Sequence, residues 1–106
     1  MTPELQSQLY DRWPEIFREQ HLDWAETGMC WGIECPDAWA PIIDALCQAL
    51  MLHAKMAPHP IPSATRVKEK FGSLRFHIGM RCEFCNGAIE MARSMSERVP
   101  KETLNK

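Results

Sequence analysis

Two cysteines three positions apart, Cys82 and Cys85 in CEFC, carry the sharpest chemical signal in the chain. This spacing lets two thiolates grip one tetrahedral zinc ion from a single knuckle, and the ion then needs two further ligands from elsewhere. Cys30 and Cys35 in CWGIEC are candidates for that second half, because the gap between them lies in the tolerated range. His59 or His77 could stand in for either of them. On a regular strand Cys30 and Cys35 would face opposite sides, so they serve together only if the chain bends near Gly32. The competing reading makes the thiols small apolar core residues, as free cysteines commonly are. The expectation is therefore no cofactor, with zinc as the one alternative.

A Cys-x-x-Cys pair between a strand and a helix start also has the placement found in thioredoxin-like enzymes, where the helix end lowers the first thiol's pKa. Glu83 inside the motif opposes such a thiolate, and the chain lacks the repeated strand-helix-strand pattern that would build the matching sheet. His21, His53, His59 and His77 show no metal or nucleophile spacing to each other and read as surface or core-edge residues, and neither a Ser-His-Asp set nor an HExxH motif can be assembled. Asp37 and Asp44 share a helix side without an acid or base partner and read as a cap and a solvated position. No enzyme is expected. A second kind of chemistry lies in the cations: Arg66, Lys68 and Lys70 alternate along one side of an extended run, with Arg75 and Arg81 nearby. Such a stripe meets phosphates or acidic side chains, or merely protects a sheet edge.

The elements that must position these groups can be read from spacing. Thr2-Pro3-Glu4 predicts a capped helix whose face is Leu5, Leu9 and Trp13, with Pro14 kinking it or restarting it as far as about Glu19. Alternation over residues 29–35 predicts a short strand. Asp37 is the expected cap of a strong helix carrying Trp39, Ile42, Ile43, Leu46, Leu50 and His53. The prolines of residues 57–64 make a stiff connector. Residues 67–78 predict a hairpin around Gly72, with Leu74, Phe76 and Ile78 inward and Arg75 and His77 outward. Asn86 is the expected cap of a last helix with a buried stripe of Ala88, Met91, Ala92, Met95 and Val99, stopped by Pro100. The sum is an α+β fold: a small antiparallel sheet or hairpin packed on three to four helices, one domain over residues 1–100, and a frayed tail over residues 101–106.

Composition sets the outer bounds. A length of 106 residues with 45% hydrophobic and 25% charged residues suits one modest core and is too apolar for disorder. Four tryptophans and seven methionines add adaptable apolar area for that core or for a protein interface. Neither a membrane span nor a signal segment is apparent, so the cytoplasm is the expected compartment and no membrane partner is expected. The net charge of −2 is unevenly spread. Residues 1–62 hold three Lys/Arg against nine Asp/Glu, net −6, whereas residues 63–81 hold five against one, net +4. This segregation orients a partner more than it coats nucleic acid, which is not an expected partner.

Three blocks, ECPDAWAPIIDALC (34–47), VKEKFGSLRFHI (67–78) and IEMARSMSER (89–98), resemble a family of small bacteriophage and prophage proteins with a KEKFGxLRF signature. Members of that family place a Cys-x-x-Cys after the last of these helices, whereas CEFC precedes it here, so the resemblance carries no zinc site over. What it implies is an accessory protein in the host cytoplasm that binds and inhibits or modulates a host bacterial protein, in a host-takeover or anti-defence role such as an anti-CRISPR. Arg66, Lys68, Lys70, Arg75 and Arg81 are then the expected partner-binding residues. The alternative expectation is a zinc-stabilised nucleic-acid-binding regulator that uses Cys82 and Cys85 with the same cations.

Overall fold

The computed structural model describes residues 1–22, 27–57, 59–80 and 82–100. Arg81, Trp24 and the expected tail over residues 101–106 lie outside the described residues. Helix α1, Pro3–Arg12, starts as its sequence dictates: the Thr2 hydroxyl accepts the Leu5 N–H at 3.3 Å and Pro3 takes the first turn. The helix does not continue in kinked form to Glu19. It ends at Arg12, and a separate short 3₁₀ helix spans Arg18–His21. The turn between them drives Ile16 and Phe17 fully into the core.

The expected strand over residues 29–35 is mostly a 3₁₀ turn, Gly28–Trp31, capped by the Thr27 hydroxyl. Only Ile33–Glu34 is extended, as β1. Gly32 explains the break. Its φ of 75° lies in the left-handed region, and a Cβ there would sit 2.6 Å from Gln6 Oε1, the atom that accepts the Ile33 N–H. The turn leaves Trp31 60% exposed, while Met29, Ile33 and Cys35 remain buried.

Helix α2, Ala40–Met56, follows a short 3₁₀ segment, Asp37–Trp39. Asp37 does not cap it; its carboxylate accepts the Thr2 N–H at 2.8 Å and ties the start of α1 to the start of α2. Trp39, Ile43, Leu46, Cys47 and Leu50 form the buried stripe.

Strands β2, Ala64–Lys70, and β3, Ser73–Ile78, pair antiparallel, and β1 joins β2 in parallel, so the sheet is mixed, in the order β1-β2-β3. The hairpin turn is Phe71-Gly72, with φ of 55° and 78°. Positive φ at both central positions is the turn whose twist matches the strands. For Phe71 it costs about 1–2 kcal/mol, because a Cβ crowds the backbone there. The register pairs Val67 with Phe76 and Lys68 with Arg75. Leu74, Phe76 and Ile78 are buried, as their alternation requires.

Helix α3, Glu83–Glu97, is capped by Cys82 and not by Asn86, so CEFC forms its first turn. Its inner face is Cys85, Ala92 and Ser96, flanked by Ala88, Ile89 and Val99, whereas Met91 and Met95 are exposed. A serine takes the inner position because the sheet edge needs an acceptor: Leu74 N–H donates to Ser96 Oγ at 2.9 Å, and that hydroxyl donates to Arg93 O at 2.6 Å. One core cluster gathers the buried residues of all these elements, including Phe17 edge-on to Phe76 at 6.4 Å. The α+β class holds. No helix among the described residues is long and apolar enough to cross a membrane.

Truncation of the central aromatic, Phe76→Ala, should destabilise the fold by about 3–5 kcal/mol in urea unfolding. Ser96→Ala should cost about 1–3 kcal/mol by orphaning the Leu74 amide. A Phe76→Ala loss under about 1 kcal/mol would contradict the assignment of strand faces.

Candidate metal centre

The last turn of α2 and the first turn of α3 meet end to end. Helical spacing from Leu46 and Leu50 carries His53 to the end of α2. The chain then closes tightly, with Ala57 N–H on His53 O at 3.0 Å and His59 N–H on Ala54 O at 3.3 Å, which brings the second imidazole alongside the first, 5.1 Å between ring centroids. From the other side Cys82 at the cap and Cys85 three residues on project from α3. One ligand atom from each of His53, His59, Cys82 and Cys85 lies within 4.8 Å of the other three.

Cys82 Sγ lies 3.4 Å from His53 Nε2, near the about 3.5 Å that a tetrahedral zinc sets between a thiolate and an imidazole. Cys82 Sγ and Cys85 Sγ are 3.2 Å apart, closer than the about 3.8 Å of two zinc thiolates, so the sulfurs must part by about half an ångström to take the ion. Orientation is enforced by neighbours. His59 Nδ1–H donates to Pro60 O at 2.7 Å, which leaves Nε2 with the free lone pair. Phe84 stacks flat on the His53 ring, 4.3 Å between centroids at 13°.

The two thiols are electrostatically unlike. Cys85 N–H donates to Cys82 Sγ at 3.3 Å, and this hydrogen bond is the largest cause of a lowered Cys82 pKa, followed by the Cys85 thiol and opposed by Glu83. Burial, then the adjacent Cys82, pushes the Cys85 thiol up to about 11. A half-buried thiol with a lowered pKa beside a buried one is also a dithiol arrangement. The two imidazoles within reach of the sulfurs make ligation the better fit, since a redox pair has no need of them. Two thiolates and two imidazoles form a borderline-soft set that suits zinc over magnesium or calcium, and with all four positions supplied by protein the site is closed.

Cys30 and Cys35 do not belong to this group. The 3₁₀ turn leaves Cys30 exposed, with Sγ 3.6 Å from Thr27 O, and Cys35 after β1 is buried in the core. His77 lies exposed on β3. The second half of the site comes instead from His53 and His59. The expectation that the histidines have no metal spacing to each other is corrected here: His59 was kept only as a substitute ligand and His53 only as a helix-face residue, yet the two converge with the thiols. The signal was present: His53 and His59 have the five-residue gap of a two-histidine zinc arm, placed ahead of the Cys-x-x-Cys.

The cations sit elsewhere, on the outer face of the hairpin. Arg66 pairs with Glu34 at 2.9 Å, Lys68 stands opposite Arg75, and Lys70 Nζ lies 5.6 Å from the Phe71 ring centroid. Arg75 Nε is buried without a hydrogen-bond partner. An open cleft of about 820 Å³ between α1 and α2 is lined by Leu5, Leu9, Asp37 and Asp44, among others. Both of these acids are engaged, Asp37 by the Thr2 amide and Asp44 by Arg12 and the Trp13 indole.

Burial pushes the Cys35 thiol up to about 12 and raises Cys47 as well. A raised folded-state pKa contributes stability that is complete below the unfolded value of about 9 and is lost as pH climbs toward 12. Urea midpoints should therefore fall above pH 9, and Cys35→Ala should flatten that decline.

No protein-family model matches the chain, and neither the curated proteins nor the solved structures contain a match.

Proposed function

We propose that this chain is a non-enzymatic binding protein stabilised by one structural zinc ion held by His53, His59, Cys82 and Cys85. The observation that carries the reading is the convergence of those four ligand atoms within 4.8 Å. A closed four-ligand zinc site leaves no position for water or substrate, which is the arrangement of structural centres and not of catalytic ones. The ion joins the end of α2, the proline-rich connector and the start of α3. What it stabilises is a platform for the cationic outer face of β2 and β3, where Lys68, Lys70 and Arg75 have no ion pair among the described residues.

In this reading the partner is a protein. The resemblance to phage and prophage accessory proteins supports a bacterial host protein as that partner, inhibited or modulated one to one. The acidic remainder of the chain, net −6 over residues 1–62, opposes a long polyanion and so disfavours the nucleic-acid alternative.

Protein purified without chelator should carry one zinc per chain by native mass spectrometry. Cobalt substitution should give the visible bands of a tetrahedral thiolate site. Chelation should lower Tm, and so should Cys82→Ala or His59→Ala, with affinity for zinc falling as pH drops because the thiols must lose their protons to bind. A metal-free chain whose Tm is indifferent to chelator and to added zinc would overturn the zinc reading.

A further inference from the structure

The hairpin tip breaks a local rule. The first central position of this turn favours Asn, Asp or Gly, yet Phe71 occupies it with φ 55°. Its side chain is 89% exposed, so no burial repays the strain. Lys70 Nζ lies 5.6 Å from its ring centroid. A Cβ added at Gly72 would meet nothing within 4 Å, so the tip stands clear of the body. Strain that the folded chain does not repay is concentrated in proteins at ligand clamps and interfaces.

The face behind the tip makes a second, independent observation. The register sets Lys68 directly opposite Arg75, an unfavourable like-charge pair. Neither has an ion pair among the described residues, and Arg75 Nε is buried with no partner. The one acid in the stretch, Glu69, accepts the Gly72 N–H at 3.4 Å and so is turned to the tip backbone. The acid beside Lys68 across the β1–β2 seam, Glu34, is engaged by Arg66 at 2.9 Å. Lys68, Lys70 and Arg75 thus stand without an ion pair among the described residues, beside a protruding aromatic ring.

We infer that the β2–β3 hairpin is a docking prong, with Phe71 as the anchor for an apolar pocket on a partner protein and Lys68, Lys70 and Arg75 meeting a rim of carboxylates around that pocket. The inference rests on the binding-protein reading above and names the surface and the partner's chemistry. Buried aromatic anchors ringed by polar contacts carry most of the energy in protein interfaces, and opposite charge at the rim sets orientation and encounter rate. A single-stranded nucleic acid is the poorer fit. Stacking tracks use successive aromatics along a groove, whereas Phe71 is the only aromatic residue between Arg66 and Arg75.

The test uses the zinc-loaded full chain with p-benzoylphenylalanine at position 71, irradiated in bacterial cells, and mass spectrometry of the crosslinked peptide. The expected result is one crosslinked protein, joined at an apolar pocket edged by Asp or Glu. Unlabelled wild type should compete the crosslink away, Phe71→Asn should compete at least about tenfold less well, and Lys68→Glu with Lys70→Glu should weaken it further at low salt than at high salt. Phe71→Asn must also keep or raise Tm, because asparagine suits the turn; this separates lost docking from lost folding. Equal competition by Phe71→Asn would overturn the prong while leaving the binding-protein reading intact. Tight binding of a single-stranded oligonucleotide that Phe71→Asn abolishes would overturn it in favour of base stacking. Failure of the wild type to capture any protein specifically would overturn the binding-protein reading and the prong with it.

Discussion

The apolar side of the β2–β3 hairpin is the constraint from which the rest of the molecule follows. Side chains on a strand alternate, so burying Val67, Leu74, Phe76 and Ile78 forces Lys68, Arg75 and His77 to the opposite face. A slip of one residue would exchange those sets and place guanidinium and ammonium groups in the core, which no neighbouring acid could offset. The two-residue turn holds the register, and the Ser96 hydroxyl closes the outer edge of β3 by accepting the Leu74 amide. Helix α3 is thereby fixed beside the sheet, and its first turn is delivered to the end of α2. Core, cationic face and candidate metal site are three results of one alternating pattern.

Much of this was legible because it rests on short-range rules. The Thr2 cap, the α2 stripe and the inward Leu74, Phe76 and Ile78 each depend on residues within a few positions of one another. What was not legible depends on partners distant in sequence. Gly32 bends because Gln6 needs the Ile33 amide, Asp37 serves α1 instead of α2, and Ser96 displaces Met95 from the inner stripe to serve β3. Periodicity counts apolar residues and is blind to a backbone amide that lacks an acceptor.

The candidate metal site divides along the same line. Cys82 and Cys85 declare themselves because their spacing is a local property of one helix turn. His53 and His59 look ordinary, one on a helix face and one among prolines, until the two helix ends are brought together. Cys30 and Cys35 had the right chemistry but the wrong surroundings, since the turn around Gly32 sends one outward and the other into the core. The end of α2 has a positive role: the Ala57 and His59 amides bond back to His53 O and Ala54 O, which limits the positions the second imidazole can reach, so less freedom is lost when a ligand set forms.

The parallel seam between β1 and β2 consists of just two residue pairs, Ile33 with Val67 and Glu34 with Lys68. It spans a long chain separation, whereas the hairpin and α3 are joined by neighbouring residues. Closing a long loop costs entropy that two rungs scarcely offset. The seam therefore leans on bonds outside its own ladder: the Gln6 side chain on the Ile33 amide, the Thr27 hydroxyl on Thr65 O and the Arg66–Glu34 ion pair fasten the N-terminal half to a hairpin that local pairing already orders.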